Sequence, residues 1–225
     1  MSDDDAGGEG EETRPLDGLA EALALKDESR TGWVLRGVTD PESVAAHSWG
    51  VTLLTLLYAD AFDDPVDRKR ALALATVHDL GEAKTGDVPT RADPDAETPP
   101  DDEQHARERE AMAEFARTLD GDALPDPDVD LPALFREYET CETPEARLVH
   151  DLDKVELLVQ ALAYERADRY DPAAGTPDAF AAYDDLDEFF ATADAAIESS
   201  LGRRLYERIH AAYERAKKDG GSERA

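Results

Sequence analysis

Cysteine is almost missing from this chain. Cys141 stands alone among 225 residues, so no disulfide can form within the chain and the composition points to a reducing cytoplasm. Long apolar runs are missing too. None approaches the roughly 20 residues that span a bilayer. The opening MSDDDAGGEGEE does not read as a signal peptide. Membrane insertion and Sec export are therefore excluded on this reading. Basic residues are scarce, 24 Lys and Arg against 54 Asp and Glu. No basic stripe is left to neutralise phosphates, which excludes duplex nucleic acid as a partner. Runs of β-branched residues are few and no internal repeat is visible, so strands are not expected beyond short extended strips.

Apolar residues make up 41% of the chain, with frequent Ala and Leu. That composition favours an all-α fold, and the length supports one well-buried core. The formal net charge is −30, with Arg used far more than Lys. The acidic excess is spread along every expected helix rather than gathered in a tail, which reads as adaptation to a salty cytoplasm. At ~1 M salt the Debye length is about 3 Å, and self-repulsion is screened.

Periodicity and capping signals divide the chain into a disordered acidic segment at 1–13, one helical domain at 14–217 and a polar tail at 218–225. A first helix is expected from Leu16 to Lys26, with Leu16, Leu19, Ala20 and Leu23 on one face. The following segment, with Arg30, Trp33 and Arg36, breaks period and reads as a turn and an extended strip. Asp40-Pro41 and Asp64-Pro65 each pair a capping acid with a first-position proline, and so predict helix starts. The first of these two helices is apolar nearly all round after His47 and is expected to be central; the second ends at His78-Asp79. A Gly, Pro and Asp-rich loop covers 85–100, then a charged helix runs from Asp101 to Leu119 and a Pro/Asp linker reaches Asp130. LPALFREYE is a short helix. Thr143-Pro144 opens a long one carrying Asp153, and Thr176-Pro177 opens a further one. The last runs from Ser199 to Lys217.

The stretch TVHDLGEAKTGD at 76–87 organises the rest. His78 and Asp79 follow the apolar run ALALATV, where an unpaired carboxylate is costly. His47 and Asp153 raise the same difficulty on two other helices. A satisfied core histidine or an Asp–Arg pair could explain any one of them. Three helices each offering a metal-type donor from an apolar setting point instead to one divalent ion, which takes about four to six donors. Two imidazoles with two carboxylates suit Mn, Co, Fe or Zn rather than Ca.

The order His47, His78-Asp79, Asp153 resembles the HD-domain metal-dependent phosphohydrolases. The strings RTGWVLRGVTDPESVAAHS at 30–48, VHDLGEAKTGDVPT at 77–90 and EYETCETPEARLVHDLDKVELLVQA at 137–161 resemble its 5′-deoxynucleotidase branch. The likeness extends over residues 16 to 165. It implies an all-α HD-domain helical bundle with no substantial sheet and one divalent transition metal held by His47, His78, Asp79 and Asp153. It also implies a homodimer that releases phosphate from deoxynucleoside 5′-monophosphates.

In such a site Glu82, one turn beyond His78, is placed to orient or deprotonate the attacking water. By resemblance Asp87 contacts the water or the leaving oxygen. No Ser or Cys nucleophile is implied, so water attacks directly. Each assignment has a plainer rival: Glu82 as a solvated helix-end acid, Asp87 as a turn cap. Arg30 suits a bidentate phosphate contact, against a surface ion pair. Trp33 either packs on the sugar, where by resemblance it would help exclude a 2′-hydroxyl, or is a core aromatic. Lys84 and Arg91 are weaker phosphate candidates, and Glu137 and Glu139 both stay open as nucleoside contacts. His150 is expected to face outward and His105 to be solvated, and a second metal is not expected because these two are the only further histidines between the HD pair and Asp153. Two rival functions remain. One is another HD hydrolase acting on nucleoside triphosphates or guanosine polyphosphates. The other is a catalytically idle, metal-stabilised partner protein.

Overall fold

A computed structural model describes residues 8–92, 101–119, 129–171, 175 and 182–221. Among them the regular structure is entirely helical, with two isolated bridges, Ser29 to Ser43 and Val38 to Tyr170, as the extended strips. In chain order the helices are α1 (Gly8–Leu23), α2 (Thr31–Leu35), α3 (Val44–Tyr58), α4 (Arg68–Val77), α5 (Glu82–Thr85) and α6 (Asp101–Thr118). They continue with α7 (Leu131–Thr140), α8 (Pro144–Ala167), α9 (Asp187–Ala196) and α10 (Ser200–Gly221).

The axis of the bundle is α8, which packs against α3, α4, α7, α9 and α10. It starts where Thr143-Pro144 predicts: the Thr143 side chain accepts from the Ala146 amide at 3.2 Å and proline occupies the first turn. Its Leu148, Leu152 and Leu158 are fully buried, in one cluster with Leu74, Trp33 and Phe190. A smaller cluster of Met112, Phe115, Leu131 and Phe135 joins α6 to α7.

Several boundaries differ from expectation for identifiable reasons. At Asp40-Pro41 no helix begins; α3 starts at Val44 with Ser43 as its cap. Asp40 is in the left-handed region at φ 48°. The backbone of residues 42–44 is committed elsewhere: Arg30 N donates to Glu42 O and Val44 N to Glu28 O. At Asp64-Pro65 the helix is again delayed, because Asp67 is the residue whose carboxylate accepts from the Lys69 and Arg70 amides. The strip containing Arg30 and Trp33 becomes helical in α2, and the helix α1 already starts at Gly8 and is followed by a 3-10 turn at Ala24–Lys26. The Thr176-Pro177 start lies outside the described residues, as do residues 1–7 and 222–225.

Two faces are inverted relative to expectation. Leu16, Leu19 and Leu23 of α1 are exposed, and it is Leu25 that enters the core. Helix α3 is not surrounded either. It buries His47, Val51 and Thr55, while Trp49, Leu53, Leu56 and Leu57 on its other side face solvent. Periodicity cannot choose a face when every face is apolar.

Candidate metal centre

Three elements converge on one point. His47 comes from the first turn of α3, His78 and Asp79 from the end of α4, and Asp153 from the third turn of α8. Ligand-type atoms of His47, His78 and Asp79 all lie within 4.8 Å of one another. His78 Nε2 is 3.3 Å from Asp79 Oδ2, and His47 Nε2 is 3.6 Å from the same oxygen. Asp153 Oδ1 lies 3.1 Å from His47 Nε2. Its other oxygen accepts from Lys154 Nζ at 2.9 Å and from the Tyr138 hydroxyl at 3.1 Å.

Both imidazoles are aimed. His78 Nδ1 lies 3.0 Å from the Ala75 carbonyl oxygen, which can only accept, so Nδ1 carries a proton and Nε2 is the nitrogen left to give a lone pair to an ion. His47 Nδ1 lies 2.5 Å from Glu156 Oε2 in the same relationship. The two inward nitrogens, His47 Nε2 and His78 Nε2, are buried and have no hydrogen-bond partner among the described residues; Glu82 Oε2 shares that condition. An unsatisfied buried polar atom costs about 1–3 kcal/mol. Two such nitrogens beside two carboxylates form a donor set that a divalent ion completes, and these residues fit one.

The electrostatics follow from the crowding. Burial alone would push the Asp79 carboxyl up, but His78, His47 and Arg30 together hold it down at about 2. Burial likewise opposes ionisation of Asp153, and Lys154 and His47 override it, keeping it well below the usual range. For His47, burial and Arg30 disfavour the proton while Asp153 and Glu156 favour it, leaving the imidazole at about 9. Glu82 goes the other way: burial, then Asp79 and Asp87, push it well up. Asp87 is raised mainly by burial, against the pull of Arg30 and the Thr31 amide.

His78, Asp79 and Asp153 line a cavity of about 870 Å³ whose wall also includes Arg30, Glu82, Asp87, Tyr138 and Lys154. Arg30 Nη1 is 3.3 Å from Asp79 Oδ2 and 3.9 Å from Asp87 Oδ1. Its cation is therefore held in the site and is not a surface pair. Asp87 also ties its loop to α2, accepting from the Thr31 amide at 2.5 Å and, through its carbonyl, from the Thr31 hydroxyl at 2.9 Å. Gly86 before it has φ 75°, a turn geometry that suits glycine. Asp87 therefore ties the turn to α2 and faces the Arg30 cation.

Trp33 lines the cavity, but at 1% exposure it presents no open face to a sugar. It is a core aromatic, edge-on to Tyr164 at 5.2 Å and tilted against Phe189 at 4.1 Å, with Nε1 donating to Glu42 Oε1 at 3.0 Å. Lys84 is drawn off to Glu21 and Glu114, and Arg91 is paired with Glu188 on the cavity wall. Of the two open glutamates, Glu137 is bound to Arg70 and Thr143, whereas Glu139 reaches the wall beside His105 and Arg109. His105 is 47% exposed at its side chain, as expected, yet it too lines the cavity. His150 does not face outward. It lines the cavity beside Tyr138, because one turn of α8 before Asp153 shares its face.

Four participants were not singled out from the sequence. Lys154 is expected to point about 100° away from Asp153, but its flexible stem returns the amine to the carboxylate. Tyr138, Glu42 and Glu156 carried no motif of their own. Glu156 alone had a signal, an acid one turn after Asp153 inside an apolar helix.

Comparisons with known proteins agree with this arrangement. A family model described as HD domain matches residues 22–192. The 5′-deoxynucleotidase hdd1 of Schizosaccharomyces pombe is 37% identical over 142 residues, 63% of this chain and 68% of that protein. The 5′-deoxynucleotidase HDDC2 of Homo sapiens is 36% identical over 159 residues, 67% of this chain and 72% of that protein. A crystal structure of a protein from Pyrococcus horikoshii OT3 superposes with a TM-score of 0.63 at 28% identity, covering 88% of this chain and 98% of its own. With its all-α architecture and a buried His, His-Asp and Asp constellation suited to a divalent metal, this chain belongs to the HD-domain family.

Proposed function

We propose that this chain is a 5′-deoxynucleotidase, a phosphoric monoester hydrolase that releases phosphate from deoxynucleoside 5′-monophosphates. The observation that carries this reading is the cluster of His47, His78, Asp79 and Asp153, with both inward imidazole nitrogens buried and without a well-formed hydrogen bond, beside a cavity lined by His78, Asp79, Asp153 and Arg30. Kinship with proteins named 5′-deoxynucleotidase supports the substrate class.

His47, His78, Asp79 and Asp153 would hold one divalent ion, with Mn, Co, Fe or Zn as the candidates by donor type. When bound, the ion supplies Lewis-acid chemistry to the phosphoryl group. The protein's own groups do the rest. Arg30, whose charge Asp87 and Asp79 stabilise against burial, offers planar donors to the phosphate oxygens. Glu82, raised by burial and its acidic neighbours, accepts the proton of the attacking water. Asp87, tethered to α2, orients that water or the leaving oxygen. No nucleophilic Ser or Cys is needed.

The working form is a homodimer. From Val44 to Tyr58 there is no charged residue, in a chain of net charge −30. Trp49, Leu53, Leu56 and Leu57 are exposed on that helix. Exposed apolar patches of this kind mark contact surfaces, and an uncharged face is where two strongly acidic copies meet with the least repulsion. The charge and the lone cysteine suit a salty, reducing cytoplasm. No helix among the described residues is long and apolar enough to cross a membrane.

The test is phosphate release from dAMP, dGMP, dCMP, dTMP, AMP and dATP with Mn²⁺ or Co²⁺ in high salt. Turnover of the deoxynucleoside monophosphates is expected. Turnover of dATP alone would move the assignment to a triphosphate hydrolase, and no turnover with any metal would leave an idle partner protein.

A further inference from the structure

Behind His47, on the side away from the cavity, lies a second acidic group. Glu42, His47 and Glu156 bring ligand-type atoms within 4.8 Å of one another. This group uses the other nitrogen of the same imidazole. Glu156 Oε2 lies 2.5 Å from His47 Nδ1, and Glu42 accepts the Trp33 indole N–H at 3.0 Å. Glu156 is three residues after Asp153, so α8 presents both acids on one face. One helix thereby addresses both nitrogens of a histidine that belongs to another helix. Asp153 stands at Nε2 and Glu156 at Nδ1.

Room for this contact depends on Gly50, one turn along α3 from His47. A Cβ at Gly50 would lie 2.6 Å from Glu156 Oε1, 2.8 Å from Cγ and 3.0 Å from Cδ. Any side chain there must push the Glu156 carboxylate away. The residue is mid-helix, where glycine costs about 1 kcal/mol relative to alanine. The close approach accounts for its presence.

We infer that Glu156 is a positioning residue for the metal centre: it fixes the proton of His47 on Nδ1 and the ring orientation, and Gly50 exists to admit it. This rests on the reading of His47 as a metal ligand. A carboxylate accepts and never donates when ionised. With Nδ1 held by Glu156, the proton an incoming ion must displace is the one at Nε2, beside Asp153 at 3.1 Å, and Nε2 then gives its lone pair to the ion between Asp79 and Asp153. Carboxylates placed this way raise the ligand's basicity, and their removal weakens metal binding about 10–100-fold. His78 meets the same need with a backbone carbonyl, so of the two imidazoles only that of His47 depends on a replaceable side chain.

The experiment is calorimetric titration of the metal-free protein with Zn²⁺ in high salt, for wild type, Glu156→Gln, Glu156→Leu, Gly50→Ala, the double variant Gly50→Ala/Glu156→Leu, and His47→Ala. Zinc binding should weaken about 10–100-fold in Glu156→Leu, less in Glu156→Gln, and in the same direction in Gly50→Ala. The double variant should be no weaker than Glu156→Leu, because both lesions act through one carboxylate. Proton NMR of the zinc-loaded wild type should show a downfield, slowly exchanging imidazole N–H that Glu156→Leu lacks. A loss of fold would appear in the near-ultraviolet circular dichroism, and Gly50→Ala keeps the carboxylate while moving it. Wild-type affinity in both Glu156→Leu and Gly50→Ala, with binding lost in His47→Ala, overturns the positioning role alone. Failure of the wild type to bind zinc overturns the metal reading itself and this inference with it.

Discussion

The guanidinium of Arg30 sits 3.3 Å from Oδ2 of Asp79, a retained cation set directly against a carboxylate of the metal-donor trio. Its side chain is only 16% exposed. The cation therefore has a built place beside the point where a phosphate would meet the metal. Replacing Arg30 by Ala should raise KM for a deoxynucleoside monophosphate about 10–100-fold, the worth of one or two hydrogen bonds to a charged group. Arg30→Lys should recover only part of this, since an ammonium lacks the planar fork. Steady-state kinetics of both variants checks it, and an unchanged KM in Arg30→Ala would remove the residue from the phosphate site.

Loading the centre should stabilise the fold. The inward nitrogens of His47 and His78 make no well-formed hydrogen bond among the described residues, and a bound ion would give each a ligand bond. A ligand at 100 times its dissociation constant adds about 2.7 kcal/mol. Scanning calorimetry with chelator and then with excess Mn²⁺ or Zn²⁺ should show Tm rising on addition. Asp79→Asn and Asp153→Asn should each abolish that rise.

Activity should fail on the acid side. Burial, with Asp79 and Asp87 nearby, raises the Glu82 carboxyl well above its ordinary range. A proton acceptor works only when ionised, so kcat/KM should drop as pH falls through that raised value and level off above it. Glu82→Gln should cost about 10²–10⁴-fold and flatten the acid limb. An acid limb that survives unchanged in Glu82→Gln would assign it to another group.

Salt should hold the protein together. With a net charge of −30, self-repulsion acts over about 10 Å at 0.1 M salt but only about 3 Å at 1 M. Thermal melts should therefore shift downward on dialysis from molar to ~50 mM KCl. The same melting temperature in both would sink the idea of salt adaptation.

The uncharged face of α3 should control assembly. Trp49→Glu and Leu53→Glu each place charge on a surface that is 69% and 37% exposed respectively, so neither disturbs the core. Light scattering should report a dimer for wild type and a monomer for the double variant, with wild-type ellipticity. A monomeric wild type at micromolar concentration would leave the face without this role.

Much of the helical framework, and the His and Asp residues that the fold brings together, was legible in the sequence because both depend on local chemistry. Thr143 caps the helix that follows it, since an oxygen next to free amides acts wherever the helix sits. The donors stood out because an acid or imidazole inside an apolar stretch needs a partner. Asp40-Pro41 misled for the opposite reason: long-range bonds to Glu28 and Arg30 outweighed the local cap.

What only the tertiary structure decided is which surface faces which. An apolar helix such as α3 has no preferred side until α8 and α4 cover one, which left Trp49 and Leu53 outside. The same packing turned His150 to the cavity, brought the Lys154 amine back to Asp153, and set Glu156 behind His47. Residue type and spacing named the candidate donors along the chain. Their convergence, and the groups that aim them, depend on contacts spanning up to 109 positions, which no local pattern encodes.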